Sequence, residues 1–270
     1  MIFATLETAV VALPLLLASA VLAWCASLVV GKVSFVDWLW PLFMVAAAGS
    51  WFAAAGLTGP RAIVVAVLLV AWALRLSVHI AVRNHGEPED ERYRAMRERR
   101  PYFAIRSLYV VFVLQALLAW FVALPLAAVI AGASPAARSA LTPLDALGVL
   151  LWVAGMLFEV GGDRQLARFR KDPANAGRVL DTGLWRYTRH PNYFGEFCIW
   201  WAFYLFALAA GGWWTVASPV LMTILLLRVS GVALLERTIT DRRPGYADYQ
   251  QRTNAFFPGP PRHGAGEAAS

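Results

Sequence analysis

The chain has 270 residues, 59% of them hydrophobic and 15% charged, with a net charge of +7. Soluble domains are only about 45–50% apolar, so this composition excludes an ordinary soluble enzyme and indicates a polytopic membrane protein. Two cysteines, Cys25 and Cys198, lie in apolar stretches, and four histidines occur without HxxxH or CxxC spacing, which excludes a disulfide framework and a metal centre.

A spanning helix needs about 20 mostly apolar residues. In chain order the sequence predicts such helices at 8–30, 35–55, 61–82, 107–131 and 143–161. The first begins after Glu7 without a basic lead-in and is too long for a signal-peptide core, so it is expected to be retained. The apolar run 194–236 is too long for one crossing, and Gly211-Gly212 is its natural break, giving helices at 194–211 and 213–235. The expectation is an all-α fold of seven transmembrane helices. It forms one domain over 1–258, followed by a Pro/Gly-rich, disordered tail at 259–270. No internal repeat of the transporter kind is visible.

The basic residues sort by side. Seven fall in 83–106, seven in 162–193 and five in the tail from Arg237 onward, and Lys32 joins them on the same side of a seven-span topology. Only Arg61 and Arg138 lie opposite. The positive-inside rule then places the N-terminus outside and the C-terminus in the cytoplasm. Topogenesis and lipid headgroups account for the positive charge, and no nucleic-acid partner is expected.

Ionisable residues inside apolar spans are costly and mark functional sites. Asp37 lies near the start of the second span, as a candidate partner for Arg75 or Lys32. Arg75, His79 and Arg83 recur every four residues and form one stripe along the third. Glu159 and Asp163 share a face of the fifth, and Arg170 returns to that face seven residues later. Arg228 and Glu236 belong to the seventh. The fourth brings little polar except Gln115. The densest cluster is Arg189-His190-Pro191-Asn192-Tyr193-Phe194-Gly195-Glu196. Pro191 suits a first helical position, and Asn192 and Glu196 then project from one face. An interfacial cap would need neither of them. The charged segment 85–101 reads as a solvated amphipathic helix laced with Glu–Arg pairs, in which Arg92 and Tyr93 are candidates to cover a ligand.

Arginines with Asn, Asp and Glu suit a ligand bearing phosphates and hydroxyls. No GxGxxG or GxxxxGK[ST] occurs, so a nucleotide would need a site of another kind. A second, apolar substrate would enter from the lipid.

These residues resemble the steroid 5-alpha-reductase family, in its bacterial membrane branch, most closely over 145–258. Asn192-Tyr193-Phe194-Gly195-Glu196 resembles the family's Asn-Tyr-x-Gly-Glu motif, and Gly183-Leu184-Trp185 with Tyr187 its lead-in. Glu159, Asp163, Arg170 and Lys171 fall at similar spacings, and Tyr246, Tyr249 and Phe257-Pro258 resemble the closing signature. The resemblance implies a seven-helix bundle that holds NADPH on the cytoplasmic side and reduces the double bond of an enone, as in 3-oxo-Δ4 steroids. It implies cofactor contacts from Asp163, Arg170, Lys171, Asn192, Tyr193 and Glu196. Asn84 beside Arg83 resembles a family Asn, and Glu236 and Arg237 complete the candidate cofactor set. For catalysis, Asp37 matches the Glu of a family Gln-Glu pair; the family's Tyr has no clear counterpart, and Arg75 or His79 is the candidate substitute. The implied setting is a monomer in a bacterial inner membrane, with a lipophilic, steroid-like substrate and lipid as partners. Two rivals remain. Arg189-His190-Pro191-x-Tyr193-x-Gly195 also resembles the isoprenylcysteine carboxyl methyltransferases, which use S-adenosylmethionine, and a small transporter or scaffold is the non-enzymatic alternative.

Overall fold

The computed structural model describes residues 2–56, 59–99, 101–131, 140–229, 232, 236 and 243–262. All regular elements among them are helical, as a backbone surrounded by lipid requires. Five helical stretches are long and apolar enough to cross a membrane: Thr5–Val30, Val36–Ala55, Pro60–Asn84, Phe103–Val122 and Pro143–Lys171. Their outward faces are apolar: Val29 is 89% exposed and Leu22 70%, as suits side chains facing lipid. The expected sixth and seventh spans fall on Pro191–Ala209, whose first turns carry Asn192 and Glu196, and on the shorter apolar stretch Trp213–Val229. The chain divides into two compact units, Met1–Asp145 with Phe206–Ser218, and Ala146–Leu205 with Pro219–Ser270.

In the first unit the expected helix at 8–30 is two helices, α1 (Ile2–Val10) and α2 (Leu13–Val30). Pro14 lies in the first turn of α2, where its missing N–H does least harm. At this junction the Ala9 carbonyl accepts the indole N–H of Trp51 at 3.1 Å and of Trp120 at 2.7 Å. Helices α3 (Val36–Ala55) and α4 (Pro60–Asn84) pack along each other. A short charged helix, α5 (Glu91–Arg99), follows. The next span runs through α6 (Phe103–Ser107), a π-helical stretch at Leu108–Val113, and α7 (Leu114–Val122). It stops at Ala123, two residues before Pro125, and α8 (Leu124–Ala131) begins there. Far from the charged loop, Arg61 forms a bidentate pair with Asp145 at 2.6 and 2.8 Å. Asp145 also accepts from the Thr142 amide and hydroxyl, so this buried pair is hydrogen-bonded on both sides, as buried charges must be.

The second unit is built on α9 (Pro143–Lys171) and α10 (Pro191–Ala209). Helix α9 continues ten residues past the expected end at 161, carrying its polar end outward. The break after α10 falls at the predicted glycines, Gly211 having φ +85°. This break and the 3-10 turn at Trp213–Val216 belong to the segment counted with the first unit; α11 (Ala217–Ile224) then leads back to the second, which ends with α12 (Tyr246–Arg252). The start of the expected tail is tied down: the Gly259 amide donates to the Tyr187 carbonyl and the Arg262 amide to that of Arg252. Residues 263–270 lie outside the described residues.

Candidate functional site

Glycines set the geometry of the second unit. A Cβ on Gly195 would lie 2.5 Å from the Glu159 amide nitrogen and from the Gly155 carbonyl oxygen. One on Gly155 would lie 2.7 Å from the Gly195 carbonyl oxygen, and one on Gly162 would lie 2.9 Å from the Pro191 ring and 3.1 Å from the Asn192 amide nitrogen. Helices α9 and α10 therefore cross backbone on backbone, a closeness that only glycine permits. The crossing brings the two polar faces together. Asn192 Nδ2 donates to Asp163 Oδ1 at 3.1 Å, and Asn192 Oδ1 accepts from the Tyr193 amide. Glu196 accepts from Trp200 Nε1 at 3.2 Å. Glu159, Asp163 and Glu196 are all buried. Glu159, Asp163, Asn192 and Glu196 are thus on two adjoining helices, with Tyr193 stacked on the His190 ring at 5.6 Å.

The lead-in loop is pinned from both sides. Gln165 on α9 accepts from the Leu184 amide and Trp185 Nε1 donates to the Gly162 carbonyl. From the C-terminal side, the Tyr249 hydroxyl donates to the Trp185 carbonyl, Thr188 Oγ1 donates to the Phe256 carbonyl, and the Arg189 amide donates to the Asn254 carbonyl. The Arg189 side chain is the centre of this clasp. It grips Glu236 with Nε and Nη2 at 2.7 and 3.0 Å and gives Nη1 to the Gln250 and Thr253 carbonyls. His190 Nε2 lies 3.1 Å from the same carboxylate. Burial raises the Glu236 pKa, but the bonds from His190 and Arg189 outweigh it and hold the carboxyl down at about 2. Glu236, expected among the cofactor residues, is thus the anionic partner of the RHP arginine and histidine. Arg237 lies outside the described residues. Arg170 and Lys171 sit exposed at the end of α9.

The first unit holds the other expected group. Asp37 accepts from the Tyr93 hydroxyl at 2.7 Å and from Arg92 Nη2 at 3.0 Å, and Gln115 Nε2 donates to the Tyr93 oxygen at 3.1 Å. Lys32, one of the two partners expected for Asp37, donates instead to the Glu87 carbonyl at 2.6 Å. Tyr93 and Gln115 are the residues that sequence reasoning did not connect with Asp37. Gln115 lies on α7, and Tyr93 is delivered by the charged loop and α5. Glu89 accepts from the Val33 and Ser34 amides at 2.8–3.1 Å and from Arg97 at 3.0 Å. Burial raises its pKa, but these bonds prevail and lower it. Tyr93 is itself buried, and burial followed by the Asp37 carboxylate raises its phenol pKa far above the ordinary tyrosine range, so it stays protonated. Arg75 and His79 are half-buried on α4, a turn apart, and Arg83 Nε donates to Asn84 Oδ1 at its exposed end. Among the described residues no cluster of His, Cys, Asp and Glu could hold a metal ion.

The chain is similar to an uncharacterized protein of Schizosaccharomyces pombe, with 26% identity over 265 residues that cover 87% of this chain and 75% of the relative. No solved structure matches it. Glycine-crossed helices, the Arg189–Glu236 pair and most of the apolar spans all fall within residues 23–253, the stretch that matches the family described as a protein of unknown function, DUF1295, and the chain belongs to that family.

Proposed function

We propose that this protein is a membrane reductase that uses NADPH to saturate the carbon–carbon double bond of an enone, with 3-oxo-Δ4 steroids as the substrate class and 5-alpha-reduced 3-oxo steroids as products. The carrying observation is the crossing of α9 and α10, which buries Glu159, Asp163 and Glu196 and sets the half-buried Asn192 amide on Asp163. That donor set fits a dinucleotide. Carboxylates accept from ribose hydroxyls and amide N–H groups, the Asn side chain both donates and accepts, and the arginines at the end of α9 suit phosphates. The cofactor side faces the cytoplasm of a bacterial inner membrane, and the protein acts as a monomer.

When bound, NADPH would supply a hydride to the β-carbon of the enone, negative charge would build on the ketone oxygen, and a proton from water would complete the saturation at the α-carbon. An O–H donor at that oxygen stabilises the transition state, typically by a factor of about 10²–10³. Tyr93 is the residue suited to this work: its proton is held by burial and by Asp37, and Gln115 fixes its oxygen from the other side. Arg75 and His79 are the second source of donors.

Detergent-purified protein given NADPH and a 3-oxo-Δ4 steroid is expected to oxidise the cofactor and to return a product two hydrogens heavier. Glu196→Gln is expected to weaken NADPH binding about tenfold or more while leaving the melting temperature unchanged. Absence of turnover together with tight S-adenosylmethionine binding would overturn the reading in favour of the membrane methyltransferases.

A further inference from the structure

Two arginines 73 positions apart, Arg170 and Arg243, line one cleft at the outer end of α9. The cleft has a volume of about 150 Å³, below the roughly 300–1,000 Å³ that encloses a whole small-molecule ligand. It is sized for one group of a larger molecule. Its wall is the tight turn Pro173–Asn175, and Gly177, with φ +75°, bends the chain around it. Arg243 gives Nη1 to the Arg178 carbonyl at 2.6 Å; one such bond orients a guanidinium without exhausting its five donors. Asp172 also borders the cleft, and its Oδ1 accepts from the Ala174 amide to cap the turn. Exposed Lys171 and Arg178 flank it. The balance is positive, and its bearers are mostly guanidinium groups, which match phosphate oxygens in a planar, bidentate way.

We propose that this cleft binds a terminal phosphate, a phosphomonoester. Resting on the NADPH reading above, that group is the 2′-phosphate, so Arg243 with Arg170 makes the protein prefer NADPH to NADH. A second source of the same chemistry is a phosphatidic acid headgroup, since the cleft lies where a membrane helix emerges.

The test is binding, not turnover. Wild type, Arg243→Ala and Arg243→Lys are titrated in detergent with NADPH, NADH and 2′,5′-ADP. Their melting temperatures are also compared in phosphatidylcholine vesicles with and without phosphatidic acid. Equal melting temperatures without ligand establish that the variants are folded. Wild type is expected to favour NADPH over NADH. Arg243→Ala should lose NADPH and 2′,5′-ADP affinity about tenfold or more with NADH unchanged, and Arg243→Lys should recover only part. Equal affinity of wild type for NADPH and NADH, or full NADPH affinity in Arg243→Ala, overturns the 2′-phosphate assignment while leaving the reductase reading intact. Binding of no dinucleotide at all removes that reading instead. The cleft then stands if phosphatidic acid stabilises wild type but not Arg243→Ala, and falls if it stabilises both or neither.

Discussion

The two polar clusters are held by opposite means. In the second unit, Asp163, Asn192 and Glu196 owe their positions to backbone packed on backbone, where a single Cβ on Gly195 would come within 2.5 Å of a neighbouring main chain. In the first unit, Asp37 and Tyr93 are brought together by side chains of a charged loop, through Glu89 on the Val33 and Ser34 amides and Arg92 on Asp37. The first arrangement admits no added atom and has little dependence on charge. The second tolerates changes of volume and depends on the ionisation of its carboxylates. On the proposed function, a cofactor-binding surface would gain from the rigid arrangement. On the same proposal, a donor that meets a substrate arriving from lipid would gain from the adjustable one.

The largest test of that contrast is steric. Gly195→Val is expected to abolish the folded protein, because overpacking against backbone cannot be relieved by a rotamer change. Yield of monodisperse protein in detergent measures it. Gly49, on α3 of the first unit, has nothing within 4 Å of an added Cβ, and Gly49→Ala is expected to be neutral or to raise the melting temperature slightly, by up to about 1 kcal/mol of helix propensity. If both variants fold equally well, the glycine crossing is not what holds α9 to α10.

The next test is chemical and separates the clusters by function. Tyr93→Phe keeps the ring and removes the donor, so kcat for an enone is expected to fall about 10²–10³-fold with NADPH affinity unchanged. Asp37→Ala is expected to lose turnover and likewise to retain the cofactor. Normal turnover in both removes the acid–phenol pair from the mechanism.

How much of this was legible beforehand differs between the clusters for a physical reason. Apolar run length marked the spans, and four-residue spacing put Asn192 with Glu196 and Glu159 with Asp163, because these are local properties of a helix. The end of α9 is not marked in the sequence, since its polar last turns leave the apolar stretch that marks a span. The split between α1 and α2 is likewise unmarked, because a proline is also tolerated inside an apolar run. The sequence marks Tyr93 only as a candidate cover, because its partner Asp37 is 56 positions away in a different helix. The pairing of Glu236 with Arg189, 47 positions away, is equally invisible in the sequence. Nothing in local periodicity reports such pairs. The glycines were visible as letters, but which backbone each one faces is a tertiary fact.

Acid should open the first unit's latch while leaving the glycine crossing closed. Glu89 in the folded protein has a pKa below its usual 4.5, so it binds its proton less readily than the unfolded chain does. Its contribution is complete above about pH 4.5 and drains away as the pH falls below that. Amide exchange across residues 87–97 is therefore expected to speed up as the pH is lowered through this range, with the α9–α10 crossing still protected. Glu89→Gln should show the same opening at neutral pH. The Glu236 clasp, with a folded pKa of about 2, follows the same sign and weakens as the pH falls from about 4.5 toward 2.

The smallest expected effect tells which part of Glu89 matters. Arg97 pairs with it at 3.0 Å and lies over the Phe103 ring at 5.2 Å, but its side chain is 45% exposed. Exposed ion pairs contribute about 0–1 kcal/mol and are screened by salt. Arg97→Ala should therefore shift stability by less than about 1 kcal/mol, and moderate salt should produce a similar shift in the wild type. Glu89→Gln should cost more, because it weakens a carboxylate that accepts two backbone amides at the start of α3 as well as Arg97. A loss in Arg97→Ala as large as that in Glu89→Gln would mean that the ion pair, rather than the amide capping, holds the loop over Asp37. The latch would then open with salt at any pH.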